Sequence, residues 1–256
     1  MPSIFLKTEG IVLKELPLKE NDSFFVLFTK DFGKLEVLAK GIKKPESKLC
    51  GHLNQFSISD FAIVKGRNFY QLAGSVISQN FSNLNNNFFG LFLLSYCLEV
   101  INFLTDYEQR EHLLYQELSD ILVFFSKENI EDKINEKSFL SYCGMASCFN
   151  YRLLCLLGYK PELDHCVICK NEPNDFYFNF SGGIVCEKCF KFSDKKISME
   201  MIKILKFAEK NDLTQFLQIK ISKQKIFELL NLIFLYSEAQ MGRELRIKKW
   251  MKCFAC

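Results

Sequence analysis

Four cysteines, spaced Cys166-x2-Cys169-x16-Cys186-x2-Cys189, constrain this chain more than any other feature. Two Cys-x-x-Cys pairs at this separation can each aim two thiolates at one tetrahedral ion, the pattern of a structural Zn²⁺ site. Each pair resembles a knuckle, in which a short loop turns two sulfurs and backbone N–H groups toward the metal. Residues 176–180 (FYFNF) read as a strand, and Ser181-Gly-Gly183 as a turn into the second pair. The segment 160–191 is therefore expected to be a ribbon-like module, with four unrelated reduced cysteines as the plainer alternative. A site with four cysteine ligands is closed: no position is left for water or substrate, so the ion would hold up a fold and run no reaction. His165 is adjacent to Cys166, which is awkward for a second ligand, and reads as a surface residue.

The rest of the chain is long enough for a core, with 256 residues and 48% hydrophobic content. The net charge is only +3, but it is unevenly spread. Residues 1–80 carry 11 basic and 8 acidic side chains, residues 81–165 carry 6 and 12, and residues 166–256 carry 16 and 10. Two basic ends flank an acidic middle, which suits a phosphate-rich partner or simply a solvated surface. The 11 cysteines are an odd number, and residues 1–7 lack the charged and apolar regions of a secretory signal. The most apolar run, residues 88–98, is cut by Glu99 and is too short to span a bilayer. Free thiols without an export signal point to a reducing cytoplasm. The phosphate-cradling Gly-x4-Gly-Lys-Ser/Thr loop, the Gly-x-Ser-x-Gly elbow, the His-Glu-x-x-His pair and the deaminase signature are all missing, and the three histidines, His52, His112 and His165, supply nucleophilic catalysis poorly. No catalytic pattern is thus evident in the residues.

Residues 1–80 read as five short strands, at about 4–14, 23–29, 35–40, 56–64 and 69–78, separated by Gly, Asp and Asn turns. One longer stretch, 41–51, falls between the third and fourth. That layout fits the five-stranded OB-fold barrel, with an SH3-like barrel as the alternative. The period changes after Asn80. Residues 80–87 (NFSNLNNN) read as a linker, followed by helices at about 87–105, 108–127 and 137–157, the last ended by Gly158 with Pro161 beyond. Helices at about 197–211 and 222–250 follow the cysteine module. The expected fold is α+β and multidomain: an OB-fold nucleic-acid-binding domain over 1–80, then a helical domain over 81–256 with the zinc module inserted.

The sharpest basic cluster is Lys40-Gly-Ile-Lys-Lys-Pro-Glu-Ser-Lys48. Lys40, Lys43, Lys44 and Lys48 surround glycine and proline, so exposed amines can reach phosphates regardless of sequence. Arg67, in the turn 65–68, is a further candidate DNA contact. OB barrels pair such a groove with stacking aromatics. Phe24, Phe25, Phe28, Phe32, Phe69 and Tyr70 are available, most of them needed for the core. The basic end of the last helix, 243–252, complements the helix terminus or extends a DNA path. Cys253 and Cys256 form a third Cys-x-x-Cys, read as tail thiols with a labile metal or redox site as alternatives. Cys143, Cys148 and Cys155 read as buried small residues of the third helix.

The order of these parts resembles one family, the bacterial DNA repair and recombination mediator RecO. The resemblance runs through Thr8-Glu-Gly-Ile-Val-Leu13, Glu20-Asn-Asp22, the hairpin Leu27-Phe-Thr-Lys-Asp-Phe-Gly-Lys34, the basic loop 39–48 and Arg152-Leu-Leu-Cys-Leu-Leu-Gly-Tyr-Lys-Pro-Glu-Leu163. It spans nearly the whole chain in order. Ser23 departs from it, standing where the family often has a basic residue, and some members lack the cysteines that this chain keeps. The resemblance implies an accessory protein that is not an enzyme, with binding of single- and double-stranded DNA, ATP-independent annealing of complementary strands, and, with RecR, loading of RecA onto strands coated by single-stranded-DNA-binding protein (SSB). It also implies a nucleoid-associated protein in the bacterial cytoplasm and a site for the SSB C-terminal tail on the helical domain, for which Arg152 is the candidate cation unless it is an internal salt-bridge residue. A zinc-ribbon scaffold for protein partners, with incidental DNA contact, is the alternative.

Overall fold

The computed structural model describes residues 4–18, 20–47, 49–81, 84, 88–127 and 136–246. The chain divides into two compact units, residues 1–91 with 101–130 and residues 92–100 with 131–256. Lys19, Lys48, the linker residues 82–83 and 85–87, and residues 247–256, with Cys253 and Cys256 among them, lie outside the described residues.

The first unit is built on β1 (Ile4–Pro17), β2 (Ser23–Thr29), β3 (Gly33–Ala39), β4 (Ser57–Lys65) and β5 (Tyr70–Asn80). They close into a barrel in the order β1-β2-β3-β5-β4, with β4 pairing back onto β1. All neighbours are antiparallel except β3 and β5, which run parallel with Val37 opposite Tyr70. This closure, with its long β3–β4 connection, is that of the OB-fold. The period-two pattern drives it. Val12, Phe25, Leu27, Val37, Phe61 and Ile63 meet inside, all nearly inaccessible to water. Each such side chain contributes ~1.5–3 kcal/mol on leaving water, and closure removes the exposed sheet edges. A bulge between Val12 and Lys14 adds the bend that a small barrel needs.

The outer face of the β2–β3 hairpin is partly covered. The Phe28 ring lies 6.4 Å from Tyr115 of α2 (His112–Lys127), whose hydroxyl donates to the Glu9 carboxylate at 3.1 Å. Lys34 is 4% exposed and donates through Nζ to the Asn102 carbonyl at 2.8 Å and to the Thr105 carbonyl. Its ammonium thus caps the bare carbonyls at the end of α1 (Phe88–Leu104), where the helix dipole favours a cation. Burial lowers the Lys34 pKa below the ordinary lysine value, and Asp106 partly offsets this. Gly33 has φ of 66°, and a Cβ there would strike the Gln109 carbonyl, so only glycine lets the two segments pass.

The second unit centres on α3 (Glu136–Leu156), which packs against α4 (Met199–Lys210), α5 (Leu213–Phe216) and α6 (Lys223–Met241). Tyr142, Phe149, Leu153, Leu205 and Ile233 fill its core. Ser198 and Ser222 cap α4 and α6 by accepting from the N–H groups of Met201 and Lys225. Cys143 and Cys148 are buried and Cys155 half-buried on α3. α6 stops at Met241, short of the position 250 expected from the sequence pattern. Gly242 takes φ of 64° and turns the chain, with its N–H bonded back to Ala239 and that of Arg243 to Glu238. Among the described residues, no helix is long and apolar enough to cross a membrane.

Within this unit the cysteine module forms a sheet of β6 (Phe176–Asn179), β7 (Gly183–Val185) and β8 (Lys195–Ile197), in the order β7-β6-β8. Its base is anchored to α6: Phe178 meets Tyr236 edge-on at 5.3 Å, and Gln240 donates to the Phe180 carbonyl at 2.9 Å.

Candidate zinc centre and nucleic-acid interface

The knuckles form as the spacing requires. The Lys170 N–H bonds to the Cys166 carbonyl at 2.9 Å, and the N–H groups of Cys189 and Phe190 both bond to the Cys186 carbonyl at 3.0 Å. Lys170 turns the first knuckle at φ of 63°. Val167 donates to the Ile184 carbonyl at 2.9 Å, tying the first loop to β7. The four Sγ atoms lie within 4.8 Å of one another, and those of Cys169 and Cys186 are 3.7 Å apart. A tetrahedral ion with Zn–S bonds of ~2.3 Å needs sulfurs about 3.8 Å apart. The donor set therefore fits such an ion. His165 is exposed and is not part of the cluster.

The electrostatics of the four sulfurs suit a cation. Burial opposes the Cys166 thiolate, but N–H groups of Cys169, Cys186 and Ile168 directed at the sulfur outweigh it and bring the thiol down to about 6. Cys189 moves the other way, to about 12, held as a thiol by its hydrogen bonds to Cys186 and the neighbouring sulfurs. One thiolate raises the cost of the next, so all four ionise together only around a positive ion. The local core is small: Cys166, Val185 and Cys186, with Val167, Tyr177 and Cys189 against them.

The lysine cluster sits on the first unit, where the chain leaves β3. Lys40, Lys43 and Lys44 are exposed. Their loop is pinned by the turn before β2. The Asp22 carboxylate accepts from the Gly41 N–H at 2.8 Å, and the Asn21 carbonyl from the Lys43 N–H at 3.1 Å. Gly41 turns at φ of 63°. Lys40 and Lys44 line an open recess of about 510 Å³ with Glu20, Asn21 and Asp22. Lys48 falls outside the described residues. Arg67 does not join the cluster. Val37 pairs with Tyr70 in the parallel ladder, so Arg67 precedes β5 while Lys40 follows β3. Those positions are about six residues, or ~20 Å, apart along the strands. Phe24 and Phe69 are in ring contact at 5.6 Å, with Phe69 51% exposed. Ser23 is buried and donates to the Glu15 carboxylate at 2.7 Å, so its side chain is not part of the barrel surface.

The comparisons agree in both halves of the chain. Residues 1–81 match the family model described as recombination protein O N terminal, and residues 85–249 match recombination protein O C terminal. The chain belongs to the RecO family. Among curated RecO relatives, "DNA repair protein RecO" of Caldanaerobacter subterraneus subsp. tengcongensis is 32% identical over 211 residues, covering 79% of this chain and 81% of the relative. That of a Thermoanaerobacter species is 30% identical over 249 residues, covering 96% of each chain. That of Clostridium novyi is 27% identical over 256 residues, covering 98% and 95%.

Two further RecO-like positions find structural explanations that sequence reading did not supply. Asp22 lies in a stretch that resembles the family, but only the fold shows its carboxylate holding the lysine loop. Arg152 reaches the end of α4, where it donates to the carbonyls of Ala208 at 3.1 Å, of Glu209 at 3.4 Å and of Asn211. It caps a helix C-terminus through backbone carbonyls, where the sequence suggested an internal salt bridge. Arg243, expected on a basic helix end, is ion-paired with Glu99 at 3.0 Å. A carboxylate so distant in sequence leaves no local signal.

Proposed function

We propose that this protein is a DNA repair and recombination mediator that binds single- and double-stranded DNA and anneals complementary strands without ATP. With RecR it helps load RecA onto SSB-coated single strands. The observation that carries the reading is the match of both halves of the chain to recombination protein O, on a barrel that displays Lys40, Lys43 and Lys44 beside one another. Annealing suits such a surface because base pairing supplies the driving force. The protein has only to neutralise phosphate repulsion and bring strands together, and exposed lysines do that independently of sequence. The ion at the four cysteines is Zn²⁺ in a structural role, one per chain. It offers no open coordination position, so no step of annealing passes through it. Arg152 and the surface around it are where the SSB tail would be sought, although its guanidinium already serves α4.

The test is annealing of two complementary fluorescent strands precoated with cognate SSB, without nucleotide. Acceleration by the protein is expected. A rate equal to that of the SSB-coated strands alone would overturn the mediator reading and leave a zinc-ribbon scaffold for protein partners.

A further inference from the structure

The outer end of the zinc ribbon exposes aromatic surface beyond what its small core covers. The Phe192 ring is wholly exposed, at 105%, and Phe190 is 47% exposed. Phe190 lies flat against Tyr177, with centroids 4.4 Å apart and planes inclined by 14°. Lys196 extends over the other component of that stack, its Nζ 5.7 Å from the Tyr177 centroid. The stack is held rigidly: Phe190 follows the ligand Cys189, and its N–H is fixed on the Cys186 carbonyl at 3.0 Å. A large apolar side chain held fully in water beside such a stack marks a contact site.

The surrounding charges select the partner. Lys188 and Lys191 are exposed beside the rings. Of the nearby carboxylates, Asp194 is engaged with the Asn179 amide at 2.8 Å and the Lys191 N–H at 2.7 Å, and Asp175 is paired with Lys196 at 3.2 Å. Glu187 is exposed as well and Asp194 keeps its charge, so carboxylates and ammonium groups balance around the rings, and the exposed Lys188 and Lys191 on either side of Phe190 in the chain are the cations a phosphate would meet. Flat stacked rings bordered by lysines suit a partner that is both planar and polyanionic. Unpaired nucleobases stack on such rings, and the phosphates between them meet the ammonium groups.

We propose that the ribbon carries a second site for single-stranded nucleic acid, on another structural unit from the barrel lysines. Phe192 and the Phe190–Tyr177 stack receive unpaired bases, and Lys188 and Lys191 the phosphates. This rests on the reading that the chain handles DNA, but not on the barrel loop being its contact. A protein with two strand-binding surfaces can hold both partners of an annealing reaction.

The test uses the full chain loaded with zinc and a fluorescein-labelled oligo(dT) of about 20 nucleotides, long enough to cover an ordinary single-strand site. In a Lys43→Glu/Lys44→Glu background, added Phe190→Ala/Phe192→Ala is expected to lower the remaining affinity about tenfold or more, the scale of base–aromatic stacking. Zinc content must stay unchanged, which separates removal of a binding surface from loss of the fold. Phe192→Trp, made together with Trp250→Phe so that position 192 holds the only indole, should keep the affinity and show indole quenching on binding oligo(dT), but not on binding an abasic strand of the same length. Unchanged affinity in the alanine variant with zinc retained, or an indole in the Phe192→Trp variant that oligo(dT) leaves unquenched, overturns the ribbon site. So does loss of binding to an acidic, hydrophobic peptide with oligo(dT) binding intact, which would make this a peptide surface. Failure of the barrel reading looks different: Lys43→Glu/Lys44→Glu alone would then leave affinity unchanged.

Discussion

The barrel loop and the zinc ribbon both present cations to solvent, but they are held in place by opposite means. The loop rests on a large closed core and needs only a few contacts, chiefly the Asp22 carboxylate on the Gly41 N–H. The ribbon has almost no core of its own, and its two loops converge on four sulfurs. The first geometry is secured by burial, whereas the second brings four sulfurs to where one ion could join them. Removing one side chain should therefore loosen the loop by degrees and the ribbon all at once.

The largest effect is expected from the metal. Cys186→Ser should drop bound zinc from about one ion per chain to near zero, because binding of a structural ion is itself folding free energy. Hydrogen exchange should then accelerate across residues 162–197 while β1–β5 stay protected. Equal exchange in both regions would break the contrast between coordination and burial. Next in size is Lys43→Glu/Lys44→Glu. DNA affinity should fall about tenfold or more for every sequence tested, and the salt dependence should flatten by roughly 0.7–0.9 for each phosphate no longer neutralised. Thermal stability should not change, since both side chains are exposed.

Asp22→Ala is the finer probe. It leaves the Gly41 N–H without its acceptor and should cost about 1 kcal/mol in denaturant unfolding, with a smaller loss of annealing than the lysine double variant. A loss of DNA binding as large as that of the double variant would mean that loop shape matters more than loop charge. The smallest effect is that of acid on the second unit. Hydrogen bonds from the Asp164 and His165 N–H groups hold the Glu162 carboxyl below its ordinary value, and bonds from Lys206, Thr214 and Lys225 do so for Asp164, Asp212 and Glu228. Carboxyls held low contribute stability that is complete above the unfolded values of 4.5 for Glu and 3.8 for Asp, and lost as pH falls through the folded values below them. Thermal melts followed down from about pH 5 should show this decline. All four carboxyls lie at or near the surface, so the effect is modest.

Legibility followed the range of the interactions. The barrel strands were readable because alternation is a local property: residues 23–29 and 56–64 of the sequence pattern became β2 and β4 with shifts of at most a residue. Strands β7 and β8 were not readable, since three residues carry no period and the ladder that defines them comes from β6. The end of α6 was misplaced because the basic residues past Gly242 continue a helical composition. The left-handed turn that stops the helix is set by one residue.

By itself the sequence determined which four sulfurs come together, since Cys-x-x-Cys spacing dictates which of them share a loop, and the order of strands and helices, since periodicity is written into neighbouring residues. It also placed a lysine-rich loop between the third and fourth strands. Tertiary structure alone decided which charges are available to a partner. Arg152 and Arg243 look like available cations in the chain, yet their guanidiniums are engaged by the end of α4 and by Glu99. Lys34 looks like a turn residue and is buried on the end of α1. Lys40, Lys43 and Lys44 remain in solvent. The physical reason is that a cation's task depends on where the acceptors lie in space, and a helix C-terminus or a carboxylate distant in sequence becomes an acceptor only when the fold brings it near.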